Sequence, residues 1–182
     1  SQIMIGDFMP GSSILWPWHR YNKDAFRITF SMPLLNPLYI IVEGEQGNFE
    51  ITHGPTLREM DKFQRYIAKQ DRVMFVNSIT SSLPAYLMAS YEDNPQWCHL
   101  SKEDRILSFA GRHLIDAGEP GTWDHYIDMQ EKNANIIIYC RDKMPTTVES
   151  VMNNIKAYLK DTPGPPGGKY VLAGGAVGVQ AA

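Results

Sequence analysis

Four groups of residues in this chain are of types that could do chemistry. Gly174-Gly175-Ala176-Val177-Gly178 is a glycine-rich turn after a strand-like run, the setting in which backbone N–H groups cradle a dinucleotide. That fingerprint also needs a complete helix, a following parallel strand and an acidic residue about 20 positions on, and the sequence stops before any of them. The glycines are therefore read as a joint, and no cofactor is expected. Histidines 19, 53, 99, 113 and 125 lack the paired spacing that sets two imidazoles on one helix face or hairpin, so no metal is expected. Cys98-His99 and Trp123-Asp124-His125 could meet in space as a Cys/His/Asp nucleophilic site, since catalytic groups need only be neighbours in the fold. No nucleophile-elbow or oxyanion-type sequence accompanies them, so no catalytic residue is assigned and the chain is not expected to be an enzyme. Glu92, Asp93, Glu103 and Asp104 lack the spacing of a calcium loop and read as solvated loop and helix ends.

Composition narrows the classes further. At 182 residues and 43% hydrophobic the chain can bury one sizeable core, so a single domain, with or without an extension, is the default. A net charge of −3 leaves no basic footprint of the kind a phosphate backbone demands, which argues against nucleic acid as a partner. No apolar run approaches the roughly 18 residues of a membrane-spanning helix, and Ser1-Gln2-Ile3-Met4 has no signal-peptide character. The fragment is expected to be soluble by itself. Cys98 and Cys140 allow one disulfide or two free thiols, which leaves the redox compartment open.

The elements that must position these residues alternate between strand and helix. Prolines at 10, 17, 33 and 37 favour an extended N-terminal arm over residues 1–37, packed on the domain, with Phe26–Phe30 alternating like a short strand. Leu38–Glu43 reads as a buried strand. Gly54-Pro55-Thr56 opens a helix to about Lys69, with Leu57, Met60, Phe63, Gln64 and Ile67 on one face. Arg72–Ile79 is a second strand. Ser81-Ser82-Leu83-Pro84 then starts a short helix to about Tyr91, and Ser101–Asp104 resembles a capping box for a helix to about Ala117. These two helices make an insertion over about 81–121. Ala134–Arg141 is a third strand, Thr146-Thr147 caps a helix with Val148, Val151, Met152, Ile155 and Leu159 on one face, and Pro163–Gly168 is a loop before a last strand at Tyr170–Ala173. Two strand–helix–strand units predict an α+β, ferredoxin-like βαβ-βαβ sandwich over residues 38–175, with helices on one face of a four-stranded sheet.

Aromatic residues near the start, Trp16, Trp18 and Tyr21, could bind a ligand or sit at a membrane interface, but packing against the sheet is the preferred reading. The methionines read as ordinary apolar usage.

Several phrases, in order, resemble one family: Gly11-Ser12-Ser13-Ile14-Leu15-Trp16-Pro17 with Tyr21-Asn22, Leu38-Tyr39-Ile40-Ile41-Val42-Glu43-Gly44, Met60–Tyr66, and Leu172-Ala173-Gly174-Gly175 with Gly178–Ala182. Together they look like the large extracytoplasmic loop of bacterial exporters of the resistance-nodulation-division superfamily, in the branch akin to the mycobacterial large membrane proteins. The opening phrase is similar to the second such loop. Ser31–Pro37 departs from the Phe-x-Gly-type phrase of relatives, and residues 93–121 do not align readily with the pattern. The resemblance implies a periplasmic porter domain of a proton-driven inner-membrane exporter, which helps bind or conduct apolar or amphipathic substrates such as lipids or drugs. Its partners would be the transmembrane helices and the other periplasmic loop of the same transporter, with a homo-oligomer left open, and residues 176–182 would begin a helix leading toward the membrane. Substrate-binding residues are not assigned. The competing readings are a freestanding ferredoxin-like ligand-binding or regulatory module, and a small enzyme built on Cys98 or Cys140.

Overall fold

The computed structural model of the chain describes residues 18–31, 37–45, 49–142 and 144–174. Four strands, β1 (Pro37–Gly44), β2 (Val73–Asn77), β3 (Asn133–Cys140) and β4 (Gly168–Gly174), form one sheet in the order β2-β3-β1-β4. Every neighbouring pair is antiparallel. With helix α2 (Gly54–Ala68) joining β1 to β2, and α5 (Pro145–Asp161) joining β3 to β4, this is the ferredoxin-like α+β sandwich the alternating pattern predicts. The central strands are the two apolar runs of the sequence, Leu38–Val42 and Ile136–Cys140, as burial demands.

One face of the sheet is covered by helices. Leu38, Ile40 and Val42 on β1 are fully buried against α2 and α5, whose Leu57, Met60, Phe63, Ile67, Val151 and Ile155 complete the core. Pro55 occupies the first turn of α2, where its missing N–H costs nothing. Burying Phe63 alone is worth about 1.5–3 kcal/mol, and its ring stacks on Tyr170 of β4 with centroids 4.7 Å apart. Gln64 is only half-buried, and its amide is put to use: Oε1 accepts from Ser78 Oγ (2.6 Å) and Thr80 Oγ1 (3.0 Å), tying the end of β2 to α2.

The insertion between β2 and β3 is helical, as expected, with α3 (Leu83–Ser90) and α4 (Asp104–Asp116) flanked by short 3-10 turns at Ile79–Ser81 and Pro95–Trp97. Helix α4 packs against both α2 and α3. The expected caps are corrected by the geometry. Ser101 does not cap α4: its Oγ accepts from Glu103 N two residues on, and Glu103, with no side-chain bond, stands at the cap. Thr147 lies inside α5, where Pro145 at the first turn and Met144 before it begin the helix. Strand β2 stops at Asn77, because Ser78 caps the 3-10 turn that Ile79 enters.

The N-terminal part differs more. Residues Arg20–Ser31 form helix α1, not an extended arm, and Phe26–Phe30 lies within it rather than in a strand. The prolines at 17 and 33 bracket a proline-free run, so every N–H between them can join the helical ladder, and Arg20 pairs with Asp24 one turn on (3.5 Å). Trp18 and Tyr21 are 69% and 59% exposed, so they are not packed on the sheet. Trp16 with the Gly11–Trp16 phrase, and the joint and helix expected over 175–182, lie outside the described residues. Among the described residues no helix is long and apolar enough to cross a membrane.

Candidate functional site

The side of the sheet away from α2 and α5 carries Tyr39 and Ile41 of β1, Asn135, Ile137 and Tyr139 of β3, Val171 of β4, and Phe75 and Asn77 of β2. Register places these residues opposite one another: Tyr39 faces Ile137, Ile41 faces both Asn135 and Val171, and Phe75 faces Tyr139. Antiparallel sheets with one wet face alternate apolar and polar residues. Here β1 and β3 are apolar at both parities, so the face away from α2 and α5 is apolar as well, with the Phe75 and Tyr139 rings stacked at 6.1 Å.

A short hairpin borders this face along the edge of β3 beyond the end of β2. Residues Tyr126–Asp128 run back along the start of β3, with Asn135 N donating to Tyr126 O (2.7 Å), Asp128 N to Asn133 O (3.1 Å), and a bridge between Ile127 and Ala134. The Asp128 carboxylate closes the turn by accepting from Lys132 N, Asn133 N and Asn133 Nδ2 at 2.8–2.9 Å. From this hairpin the Tyr126 side chain reaches β2, where its hydroxyl accepts from Asn77 Nδ2 (2.6 Å). Burial pushes the Tyr139 phenol above its ordinary value, and the neighbouring phenols of Tyr126 and Tyr39 add to the effect.

Between the hairpin and strands β1, β3 and β4 lies a groove of about 410 Å³, within the range of small-molecule sites. Tyr39, Ile41 and Ala173 give it apolar surface, while Asp124, His125, Asp128, Asn133 and Asn135 supply polar groups. Asn135 Nδ2 donates to His125 O (3.2 Å), but Asn135 Oδ1 is buried without a partner. Trp123 Nε1 and Glu131 Oε2 are the other buried side-chain atoms lacking a hydrogen bond among the described residues, so all three fall between Trp123 and Asn135. Such a groove binds by apolar contact and hydrogen bonding.

The residues singled out for chemistry in the sequence are dispersed. Cys98 is exposed in the insertion and Cys140 is buried in β3, and both are free thiols. Burial and the Asp142 charge push the Cys140 thiol up to about 11, so it stays protonated and unreactive at neutral pH. No hydrogen bond or ring contact joins Cys98 or His99 to Asp124 or His125; His99 stacks instead near Trp97 (6.5 Å). His113 packs on Phe109 (4.6 Å), and His19 Nδ1 accepts from Tyr21 N (3.2 Å). His53 and His113 share a second, polar pocket of about 390 Å³ beside α4, where Arg112 approaches Glu50 (3.7 Å) and Glu131 (3.9 Å). Among the described residues no three His, Cys, Asp or Glu side chains are grouped to hold a metal ion.

Sequence reasoning missed the groove. Its one signal was that the Tyr-Ile-Ile-Val and Ile-Ile-Ile-Tyr runs are apolar at both parities, and a two-helix sandwich covers one parity only. The hairpin carrying Tyr126 had no strand-like pattern to announce it. The chain matches no protein-family model, and no curated protein matches its sequence.

Proposed function

We propose that this chain is a periplasmic porter domain of a proton-driven inner-membrane exporter of the resistance-nodulation-division superfamily, akin to the mycobacterial large membrane proteins. In this reading it is not an enzyme: it helps bind or conduct apolar or amphipathic molecules, and its partners are the transmembrane helices and the other periplasmic loop of the same transporter. The observation that supports the reading best is the apolar groove on the face of a ferredoxin-like sheet away from α2 and α5. A porter domain needs an apolar surface left open by its own helices, and the strand–helix–strand repeats that the sequence resemblance implies are those of this sheet.

The test is the parent reading frame together with transport. Membrane-spanning segments are expected on both sides of the chain, and Ile41→Glu in the full-length protein is expected to abolish export of an apolar dye from intact cells while leaving the protein level unchanged. A parent without such segments, or undiminished export by the variant, overturns the reading. The closure of all four strands within the chain favours one other reading, a self-contained ligand-binding module. A reading frame limited to this domain would select it.

A further inference from the structure

Helix α1 joins large apolar side chains to cations on its exposed surface. We infer that it is an interfacial helix that docks on an anionic phospholipid surface, with Trp18, Tyr21 and Ile28 at the boundary of headgroups and acyl chains and Arg20, Lys23 and Arg27 against the phosphates. The residues of α1 carry the inference, and the exporter reading adds one further argument to it.

Tyr21 and Ile28 stand two helical turns apart, so they share one face of α1, and both are exposed, Ile28 at 49%. Trp18 precedes Tyr21 by three residues, in the turn that leads into the helix. Lys23 N donates to His19 O (3.2 Å), so the helical ladder reaches back to within one residue of Trp18. Asn22, about a quarter-turn round the helix from Tyr21, is buried, so α1 rests on a different face and presents these three side chains outward. Arg20, Lys23 and Arg27 recur at spacings of three and four and make one exposed stripe beside the apolar one, on the side away from Asn22. Against these cations the helix has a single acid, Asp24, in a chain whose net charge is −3. Asp24 pairs with Arg20 on the open surface (3.5 Å), a contact weak enough to leave Arg20 available to a phosphate.

Tryptophan and tyrosine rings have an apolar body and a polar edge, which suits the level of the headgroups, and cations beside them gain from the negative potential of an anionic leaflet. In water the same apolar side chains bury no surface, so the helix gains by meeting a second phase. Position agrees with composition. Strand β4 runs antiparallel to β1 and stops at Gly174, opposite Tyr39, so β1 begins and β4 ends at the same end of the sheet. Residues 32–36 alone separate α1 from β1, which ties the C-terminal end of α1 to that end. On the exporter reading, membrane-spanning segments on either side of the chain approach the sheet there, so the bilayer lies on the side from which α1 is tethered.

The experiment floats the 182-residue chain with vesicles of phosphatidylglycerol and phosphatidylcholine in equal parts, and with vesicles of phosphatidylcholine alone. Binding to the anionic vesicles is expected to be at least about ten-fold tighter than to the neutral ones, and to weaken as salt is added. Lys23→Gln and Arg27→Gln, at exposed positions where folding is not at stake, are each expected to weaken it by about five-fold. Trp18→Ala and Ile28→Ala are each expected to weaken it by about ten-fold. Phe109→Ala, which removes a similarly exposed ring from α4, is expected to change nothing. Phospholipids brominated on their acyl chains are expected to quench tryptophan emission in the wild type and clearly less in Trp18→Phe, which keeps a ring at the position. Failure to float with either vesicle, equal binding to both, or undiminished binding by the α1 variants overturns the inference. A chain that sediments as a dimer and is made monomeric by Trp18→Ala overturns it as well, giving the face to a second copy. The exporter reading fails separately: a parent reading frame without membrane-spanning segments overturns that reading and leaves lipid binding by α1 standing, whereas failed flotation leaves the exporter reading resting on the groove.

Discussion

The Tyr158 hydroxyl of α5 donates to Glu59 Oε1 of α2 at 2.7 Å, a bond across 99 residues that joins the two crossover helices above the core. The Glu59 side chain is 14% exposed, and Lys62 Nζ holds its other oxygen at 3.3 Å. Tyr158→Phe keeps the ring that packs edge-on against Phe63 (5.2 Å) but withdraws the donor from a largely buried carboxylate. The expected loss is about 1–2 kcal/mol, read as a fall in Tm of roughly 2–8 °C. An unchanged Tm would mean that water replaces the phenol at no cost.

Gly54, at the start of α2, lies directly against the backbone of Asp104 at the start of α4, and a Cβ there would overlap Asp104 O and Cα. Backbone cannot swing aside as a side chain can, so Gly54→Ala is expected to destabilise by about 1–3 kcal/mol. Gly111→Ala in α4 is the informative partner. Its Cβ would crowd the Leu57 Cδ1 methyl, which can move, and reach the Thr52 backbone only at ordinary contact distance, while alanine favours a helix interior by about 1 kcal/mol. Urea midpoints should fall clearly for the first and little for the second; equal effects would show that the two helices adjust together.

The two thiols should separate cleanly by accessibility. A thiol-specific reagent at pH 8 is expected to label Cys98 at once and Cys140 only after denaturation, since Cys98 is exposed and Cys140 is fully buried. Rapid labelling of both in the native protein would require β3 to open readily.

Alkaline pH should weaken the fold in a defined direction. Burial, then the Glu59 hydrogen bond, pushes the Tyr158 phenol up, and burial, then the Glu59 charge, does the same for Tyr170. Cys140 is raised from 9.0 to about 11. In all three the folded state holds the proton more tightly than the unfolded chain. Their stabilisation is therefore fully present below the unfolded values and is lost as pH rises through the folded ones. Unfolding free energy is expected to hold steady to about pH 8.5 and then fall, with Cys140 accounting for a loss of up to ~3 kcal/mol by pH 11 and above. Cys140→Ala should flatten the first part of that decline, and Tyr170→Phe the part above pH 10. A free energy that stays level to pH 11 would refute the assignment.

The fold was legible where periodicity was strong. Leu57, Met60, Phe63 and Ile67 recur at helical spacing, and the Tyr-Ile-Ile-Val and Ile-Ile-Ile-Tyr runs are too apolar and too short for anything but inner strands, so α2, β1 and β3 stand where the pattern puts them. Helix ends were less legible, because Ser101 and Thr147 are good capping residues by type but a cap is decided by backbone geometry one or two residues away. Helix α1 was hidden by the prolines around it, whose effect does not extend across the proline-free run between 17 and 33. The groove was hidden for another reason. Its polar wall comes from a hairpin whose position depends on the long-range pairing of Tyr126 with Asn77, which no local pattern encodes.

The sheet order also bears on how the chain is born. Strand β1 is made early, yet its neighbours on both sides, β3 and β4, are drawn from the last third of the sequence. During synthesis the Leu38–Val42 segment therefore emerges with both edges bare and stays so while β2 and the whole helical insertion follow. Until Ile136 and then Tyr170 leave the ribosome, this apolar strand has no strand partner among the described residues, and that interval is when a chaperone or a neighbouring nascent chain can reach it.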